Sequence, residues 1–431
     1  MSAAVPFLDR FRALRNVRFR VFFIAQSISS IGSFVQIVAQ SWLVLELTNS
    51  GNALGVVTAL QFAPLLFLGP FGGVVADRVD NRRLLVVTST LAGLNALGLA
   101  ALVASGHATV WRVAGFAFTL GLILPFERPA AQAILYELCG PDDVTGAVAL
   151  NALLQPVSRL AGAAVAGILI RFIGLTSCFG ANAASYAVVA GALLWLLGQN
   201  MHPRRRASPG KGQLRDGLRY ARSNPAIRRT LLVLFVIGLC AYNFGTTVPA
   251  MVKFEFQEGA DGLAFAQSIS ALGAVAAGVV VAGLRRPSVR NMAIAATAFG
   301  VSMVAWGFVP GFVAWSLFGI LVGCASTSFT MLVQTVLQRE SDPAMLGRVM
   351  SLFSLGFFGT TPLGALLAGV LISTFNARWP FVAGGLVTLT VAVFALIRPL
   401  SASARRPLNV GPTPELTAES STAEPPTRSV V

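Results

Sequence analysis

Twelve stretches of roughly twenty residues, almost free of charge, follow one another along this chain. That recurrence constrains the fold more than any motif. A helix rises about 1.5 Å per residue, so about 20 apolar residues cross a hydrocarbon layer about 30 Å thick. The stretches are 21–45, 53–75, 84–104, 111–135, 145–170, 176–198, 230–251, 262–284, 290–309, 312–336, 345–372 and 380–397. Only 11% of residues are charged and 55% are hydrophobic, against about a quarter charged in soluble domains. A soluble core of this composition leaves too little polar surface to face water. A β-barrel needs alternating segments of about ten residues, and none is present. The expected fold is an all-α polytopic membrane protein with twelve transmembrane helices. Its 42 glycines read as packing residues that let helix backbones approach closely in lipid.

The net charge of +15 points to topology rather than to nucleic acid. Arg10, Arg12, Arg15, Arg18 and Arg20 precede the first stretch, and Arg78, Arg82 and Arg83 follow the second. Arg128 lies near the inner end of the fourth stretch, nine Lys or Arg lie between Arg204 and Arg229, and Arg285, Arg286, Arg290, Arg339, Arg348, Arg398, Arg405, Arg406 and Arg428 fall on the same side. The opposite side holds only Arg112, Arg171, Lys253 and Arg378. Basic loops stay in the cytoplasm, so both termini are expected there, in a multi-pass protein of the cytoplasmic (plasma) membrane. Some attraction to anionic lipid is also expected. Residues 1–20 pair arginines with Phe7, Leu8, Phe11 and Leu14, which reads as an interfacial helix rather than a cleaved signal. Cys139, Cys178, Cys240 and Cys324 are scattered, and His107 and His202 fall in loops. Neither a disulfide framework nor a metal site is supported, and no cofactor is expected.

The chain divides near its middle. Residues 199–229 are polar, with Leu214, Leu218 and Ala221 on one helical face, so a short helix is expected to join two six-helix halves, 21–198 and 230–397. The halves read as copies. AGAAVAGILI (161–170) aligns with LGALLAGVLI (363–372) at an offset of 202, where Gln132 also meets Gln334. GVVAD (73–77) aligns with GVVVA (278–282) at 205. Parallel repeats place a site between the halves near the midplane, exposed alternately to each side. Residues 398–431, rich in Pro, Ser, Thr and Glu, are expected to form a disordered cytoplasmic tail.

One polar island interrupts the first half. GGVVADRVDNRR (72–83) carries five charges within Asp77–Arg83. Gly73, Asp77, Arg78, Arg82 and Arg83 stand on the positions of a G-x-x-x-D-R-x-x-x-R-R turn, with Asp80 where a second glycine is usual. Further likeness runs through VAQSWLVLELTNSGNALG (38–55), PFERPAAQA (125–133), CFGANAASY (178–186), LRYARSNP (218–225) and LGRVMSLFSLGFFGTTPLGALLAG (346–369). Together these resemble the major facilitator superfamily, in the branch of the enterobactin exporter and macrolide-efflux relatives (transmembrane secretion effector type). The resemblance implies a secondary transporter, exporting an amphiphilic drug- or siderophore-like molecule with protons as coupling ion, acting as a monomer. Two antiporter markers differ: span five carries Gly162-Ala163 in place of Gly-Pro, and Ala117 stands four residues before Gly121 in place of an arginine.

Several residues are candidates for the work. Asp77 is placed to meet the start of the eleventh stretch, where Arg348 follows Asp342-Pro343. A carboxylate gains from a positive helix end, and in the family this contact latches the halves. The competing reading is a solvated turn. Gln36, Gln40 and Trp42, with Asn151 and Gln334, are expected in the cavity, because polar groups at membrane depth face the bundle interior. Helix–helix hydrogen bonding serves them equally well. Glu127 and Arg159 lie deepest in the first half, and a pairing between them is expected. At offset 202 they correspond to Phe329 and Thr361, so charge in one half alone points to coupling or substrate contact, with a static ion pair as the alternative. No nucleophile–base pair, metal cluster or phosphate-binding loop is present, so neither an enzyme nor direct ATP coupling is expected. Uptake, lipid translocation, or a non-transporting scaffold or receptor remain as alternatives to export.

Overall fold

The computed structural model describes residues 13–202, 213–284, 288–342 and 345–397. Most of the segment before span one, residues 203–212 of the linker, Pro343 and the tail from 398 lie outside the described residues. Among the described residues, twelve helices are long and apolar enough to cross a membrane. They are span 1 (Val17–Thr48), span 2 (Gly51–Gly69), span 3 (Asn81–Ala104), span 4 (Val110–Gly140), span 5 (Gly146–Phe172) and span 6 (Leu175–Leu197). Span 7 (Pro225–Glu255), span 8 (Ala260–Val281), span 9 (Val289–Phe308), span 10 (Phe312–Glu340), span 11 (Leu346–Thr374) and span 12 (Trp379–Ile397) follow.

Each expected stretch coincides with one span, and several helices run a few residues further into polar sequence. Side-chain caps explain the extension. Asn16 accepts from the backbone N–H groups of Arg18 and Phe19, Asp80 from Arg82, and Asn224 from Ala226 and Ile227. Such caps satisfy donors that the first helical turn leaves unpaired. Hydropathy does not register them. Spans 4 and 5 are joined with almost no loop: the helix continues through residues 110–172 apart from Gly140, at φ 69° and ψ −175°. Only glycine adopts that backbone readily.

The repeat in sequence is a repeat in packing. Spans 2 and 4, 3 and 6, and 1 and 5 pack in the first half; spans 8 and 10, 9 and 12, and 7 and 11 do so in the second. A Cβ on Gly121 would stand 2.1 Å from the carbonyl oxygen of Gln61, and one on Gly323 would stand 2.1 Å from that of Ser270. These glycines lie at the offset of 202 and let span 4 meet span 2 as span 10 meets span 8. The halves join through span 2 against span 11 and span 5 against span 8.

Two spans of the second half are interrupted. Span 7 breaks after Cys240, around Tyr242, before a short helix Phe244–Ala250. Span 11 breaks at Gly359–Thr360 between Leu346–Phe358 and Thr361–Thr374. Pro362 has no N–H to offer the carbonyl of Phe358, and its ring crowds that group. The counterpart spans 1 and 5 are continuous.

Candidate functional site

The charged turn after span 2 is held within its own half. The Asp80 side chain caps span 3 and accepts from the Arg82 guanidinium at 2.9 Å. The other face of that guanidinium donates to the carbonyls of Leu196, Leu197 and Gln199 at the end of span 6. Burial alone would raise the Asp80 carboxyl, but hydrogen bonds from the side chain and backbone of Arg82, and its charge, hold it below the usual carboxylate value. Asn81 donates to Glu137 at 2.7 Å, tying the turn to span 4. Asp77 is half-buried in the cleft beside these groups, whereas Arg78 and Arg83 are exposed. Gly72 makes the close approach, its Cβ position 1.9 Å from the Pro125 carbonyl. Gly73 faces open space.

Arg348 lies at the other end of the expected latch. Its guanidinium stands 3.7 Å from Asp216 of the linker helix Gln213–Ser223. Tyr220 of that helix donates to Asp342 at 3.1 Å. Among the described residues no ion pair joins Arg348 to Asp77.

The side of the bundle opposite the linker is sealed between the halves. The N–H of Asn52 donates to Ser373 at 3.1 Å, joining span 2 to span 11. Gly369 packs with its would-be Cβ 3.0 Å from the Gly51 carbonyl, and Gly167 with its own 2.9 Å from Ala264 of span 8. These two glycines are again 202 residues apart, so one repeated position serves both inter-half seams. Trp42 is buried here, donating to Glu46 at 2.7 Å, with Lys253 of span 7 over its ring at 5.9 Å. Lys253 also donates to the Leu45 carbonyl at 2.5 Å.

Glu127, Arg128 and Arg159 lie well inside spans 4 and 5. Glu127 is half-buried and its Oε2 has no hydrogen-bond partner. Tyr186 of span 6 is within Coulombic reach of it. Arg159 is within Coulombic reach of Tyr242 of span 7. The expected pairing does not form: among the described residues, no ion pair links Glu127 to Arg159. Arg128, which helical spacing alone directs away from Glu127 toward the membrane interface, instead reaches the other half, its guanidinium 4.2 Å from the centre of the Phe358 ring. Its side chain is exposed, and a guanidinium facing lipid inside a span is costly.

The facing wall is aromatic. Tyr242 sits at the break of span 7 with ring centres 5.0 Å from Phe357, 5.3 Å from Phe299, 6.0 Å from Phe244 and 6.4 Å from Phe329. Its hydroxyl bonds Thr330 at 2.7 Å and also donates to the Ser326 carbonyl. Asn151 and Gln334 are half-buried and make no hydrogen bond among the described residues, so their amides are available to a ligand or to water. Gln36 and Gln40 are committed elsewhere: Asn182 donates to Gln36 at 2.7 Å, and Gln40 donates to Gln61 at 3.1 Å. Sequence reasoning missed Tyr242 and the role of Arg128. The Gly and Pro interruptions of spans 7 and 11 were the available signal, since broken helices line the sites of carriers of this kind.

Comparison with known proteins agrees with this architecture. Residues 9–426 match the family described as transmembrane secretion effector. The staphyloferrin A transporter of Staphylococcus aureus is 23% identical, over 87% of this chain and 94% of its own. The multidrug efflux pump Tap of Mycobacterium tuberculosis is 26% identical, over 92% and 96%. Macrolide efflux protein A of Streptococcus pyogenes is 23% identical, over 88% and 95%. Among solved structures, the nucleoside transporter NupG superposes with a TM-score of 0.67 at 15% identity, covering 88% of this chain and 96% of its own. A bacterial homologue of the lysosomal transporter Spinster reaches 0.66 at 13% identity, over 89% and 96%. With a family match that spans the whole membrane region, the chain belongs to the transmembrane secretion effector family of major facilitator transporters.

Proposed function

We propose that this protein exports an amphiphilic small molecule by alternating access, driven by the proton gradient, with the linker side facing the cytoplasm. The observation that carries the reading is the Glu127 carboxylate, whose buried Oε2 has no hydrogen-bond partner among the described residues. A carboxyl group held in no ion pair, with Arg128 only within Coulombic reach, can take up and release a proton as water reaches it from one side and then the other. No structural ion pair has to break first. The orientation follows from the basic residues gathered on the linker side, and the efflux relatives support the direction.

In the described state the seams at Gly167 and Gly369 close the outer side, and substrate enters from the cytoplasm. The outward state requires these small-residue contacts to part and the cytoplasmic ends of spans 2 and 11 to approach. Arg348 then exchanges Asp216 for Asp77, an ion pair at the rim worth up to about 1 kcal/mol.

The test is accumulation of a labelled compound panel in cells with and without the protein, with and without an uncoupler. At least one compound is expected to accumulate less when the protein is present, the uncoupler abolishing the difference, and Glu127→Gln is expected to insert normally but lose that uncoupler-sensitive component. Energy-dependent uptake into the cytoplasm would overturn the direction. Unchanged uncoupler sensitivity in Glu127→Gln would remove Glu127 as the coupling acid.

A further inference from the structure

We infer that the transported molecule is an anion: an apolar, aromatic-sized body carrying a carboxylate or similarly charged acidic group. The inference rests on the transporter reading above and specifies its substrate. Among the described residues, Glu127, Arg128 and Arg159 are the only Asp, Glu, Lys or Arg more than ten residues from both ends of their span. Two guanidinium groups therefore share the cavity with one carboxylate. The excess is positive when Glu127 is ionised and larger when it is protonated.

One carboxylate cannot neutralise both arginines. Glu127 is within Coulombic reach of Arg128, but among the described residues no ion pair joins either arginine to a carboxylate: Arg128 lies over the Phe358 ring, and Arg159 is within Coulombic reach of Tyr242. A guanidinium set this deep without a counter-ion is costly. An incoming anion relieves that cost, whereas an incoming cation adds to it. Guanidinium also has the planar fork of donors that grips carboxylate with two parallel hydrogen bonds.

The opposite wall takes the rest of the molecule. Phe357 is half-buried beside Tyr242, and Phe358 is half-buried under Arg128. These rings offer an apolar face within reach of the cations. The half-buried amides of Asn151 and Gln334 lie nearer the linker-side mouth. A substrate with its acid toward spans 4 and 5 and its rings toward spans 7 and 11 satisfies both walls at once.

Two xanthene dyes of similar size and opposite charge, carboxyfluorescein and rhodamine 6G, separate the possibilities. Binding to purified protein is read by fluorescence anisotropy, and movement by uptake into inside-out vesicles. Carboxyfluorescein is expected to bind about tenfold more tightly than rhodamine 6G. Arg159→Gln and Arg128→Gln are each expected to reduce that preference several-fold, and Arg159→Lys to retain most of it. Melting temperatures establish that each variant is folded; should Arg159→Gln fail to fold, the exposed Arg128 position and the Lys variant carry the test. Equal or tighter binding of rhodamine 6G, or a preference unchanged in both glutamine variants, overturns the inference. Vesicles that move rhodamine 6G but not carboxyfluorescein refute the anion and leave the exporter standing. Vesicles that move neither dye count against both readings.

Discussion

The two halves share a packing plan and differ in chemistry. Gly121 and Gly323 bring corresponding spans into backbone contact, and Gly167 and Gly369 close corresponding seams. Where the halves face each other the correspondence ends. At the same offset Glu127 meets Phe329, Arg128 meets Thr330 and Arg159 meets Thr361. The first half presents charge on continuous helices. The second presents aromatic rings and hydroxyls at the breaks of spans 7 and 11. The shared positions therefore hold the helices together, and under the proposed function the divergent ones act on what passes between them.

The most severe test of the shared plan is bulk at the paired glycines. Gly121→Val and Gly323→Val each drive a side chain into a carbonyl oxygen, and overpacking of a rigid contact costs at least about 1–3 kcal/mol. Both variants are expected to lose most folded, monodisperse protein by size-exclusion chromatography. Tolerance in one half only would show that the packing plans have also diverged.

The divergent positions give the next largest effect. Arg159→Gln is expected to lower transport about tenfold with the protein still inserted, as befits an intramembrane charge at a functional position. Its counterpart Thr361→Val should leave transport within about twofold, since no charge is lost there. A reversal of that order in a vesicle transport assay would place the working group in the second half.

The amides separate packing from function more gently. Gln36 accepts from Asn182 within the first half, so Gln36→Ala should cost about 1 kcal/mol, the scale of an interhelical hydrogen bond in lipid. It is expected to lower the melting temperature without altering the substrate profile. Gln334, with no hydrogen-bond partner among the described residues, should behave oppositely: unchanged melting and weakened transport of some substrates. Calorimetry and a compound panel on the two variants decide the matter.

The smallest effect belongs to the charged turn. The Asp80 carboxyl is held below its ordinary value of 3.8, so the stability it contributes is present above that pH and is lost as acid titrates the folded group. The melting-temperature deficit of Asp80→Asn should be constant from neutral pH down to mildly acidic conditions. It should then shrink as the pH falls below the ordinary carboxylate value. A deficit that grows on acidification would contradict the Arg82 assignment.

The fold was legible because lipid imposes length and apolarity on every span, and the repeat at 202 exposed the two halves. Helix ends were less so, because Asn16, Asp80 and Asn224 extend helices through hydrogen bonds that hydropathy does not register. The position of Glu127 and Arg159 along their helices was legible as well, but their direction was not. Position is set by the sequence, whereas partnership depends on how neighbouring helices are rotated. So Arg159 meets Tyr242 rather than Glu127, and Arg128 crosses to Phe358. The aromatic wall was hidden for a different reason. In a chain with 30 phenylalanines, a ring facing the cavity and a ring facing lipid look alike until the helices are packed.

The central claim is that the outer seam must part for substrate to cross, and it is tested most directly by preventing that. With the four native cysteines replaced by alanine, Asn52→Cys and Ser373→Cys place thiols where span 2 already touches span 11 across the halves. Oxidation should form the cross-link and stop transport in vesicles, and reduction should restore it to the level of the uncross-linked protein. Full transport by the quantitatively cross-linked protein would contradict the account, because substrate would then be passing with the outer seam closed.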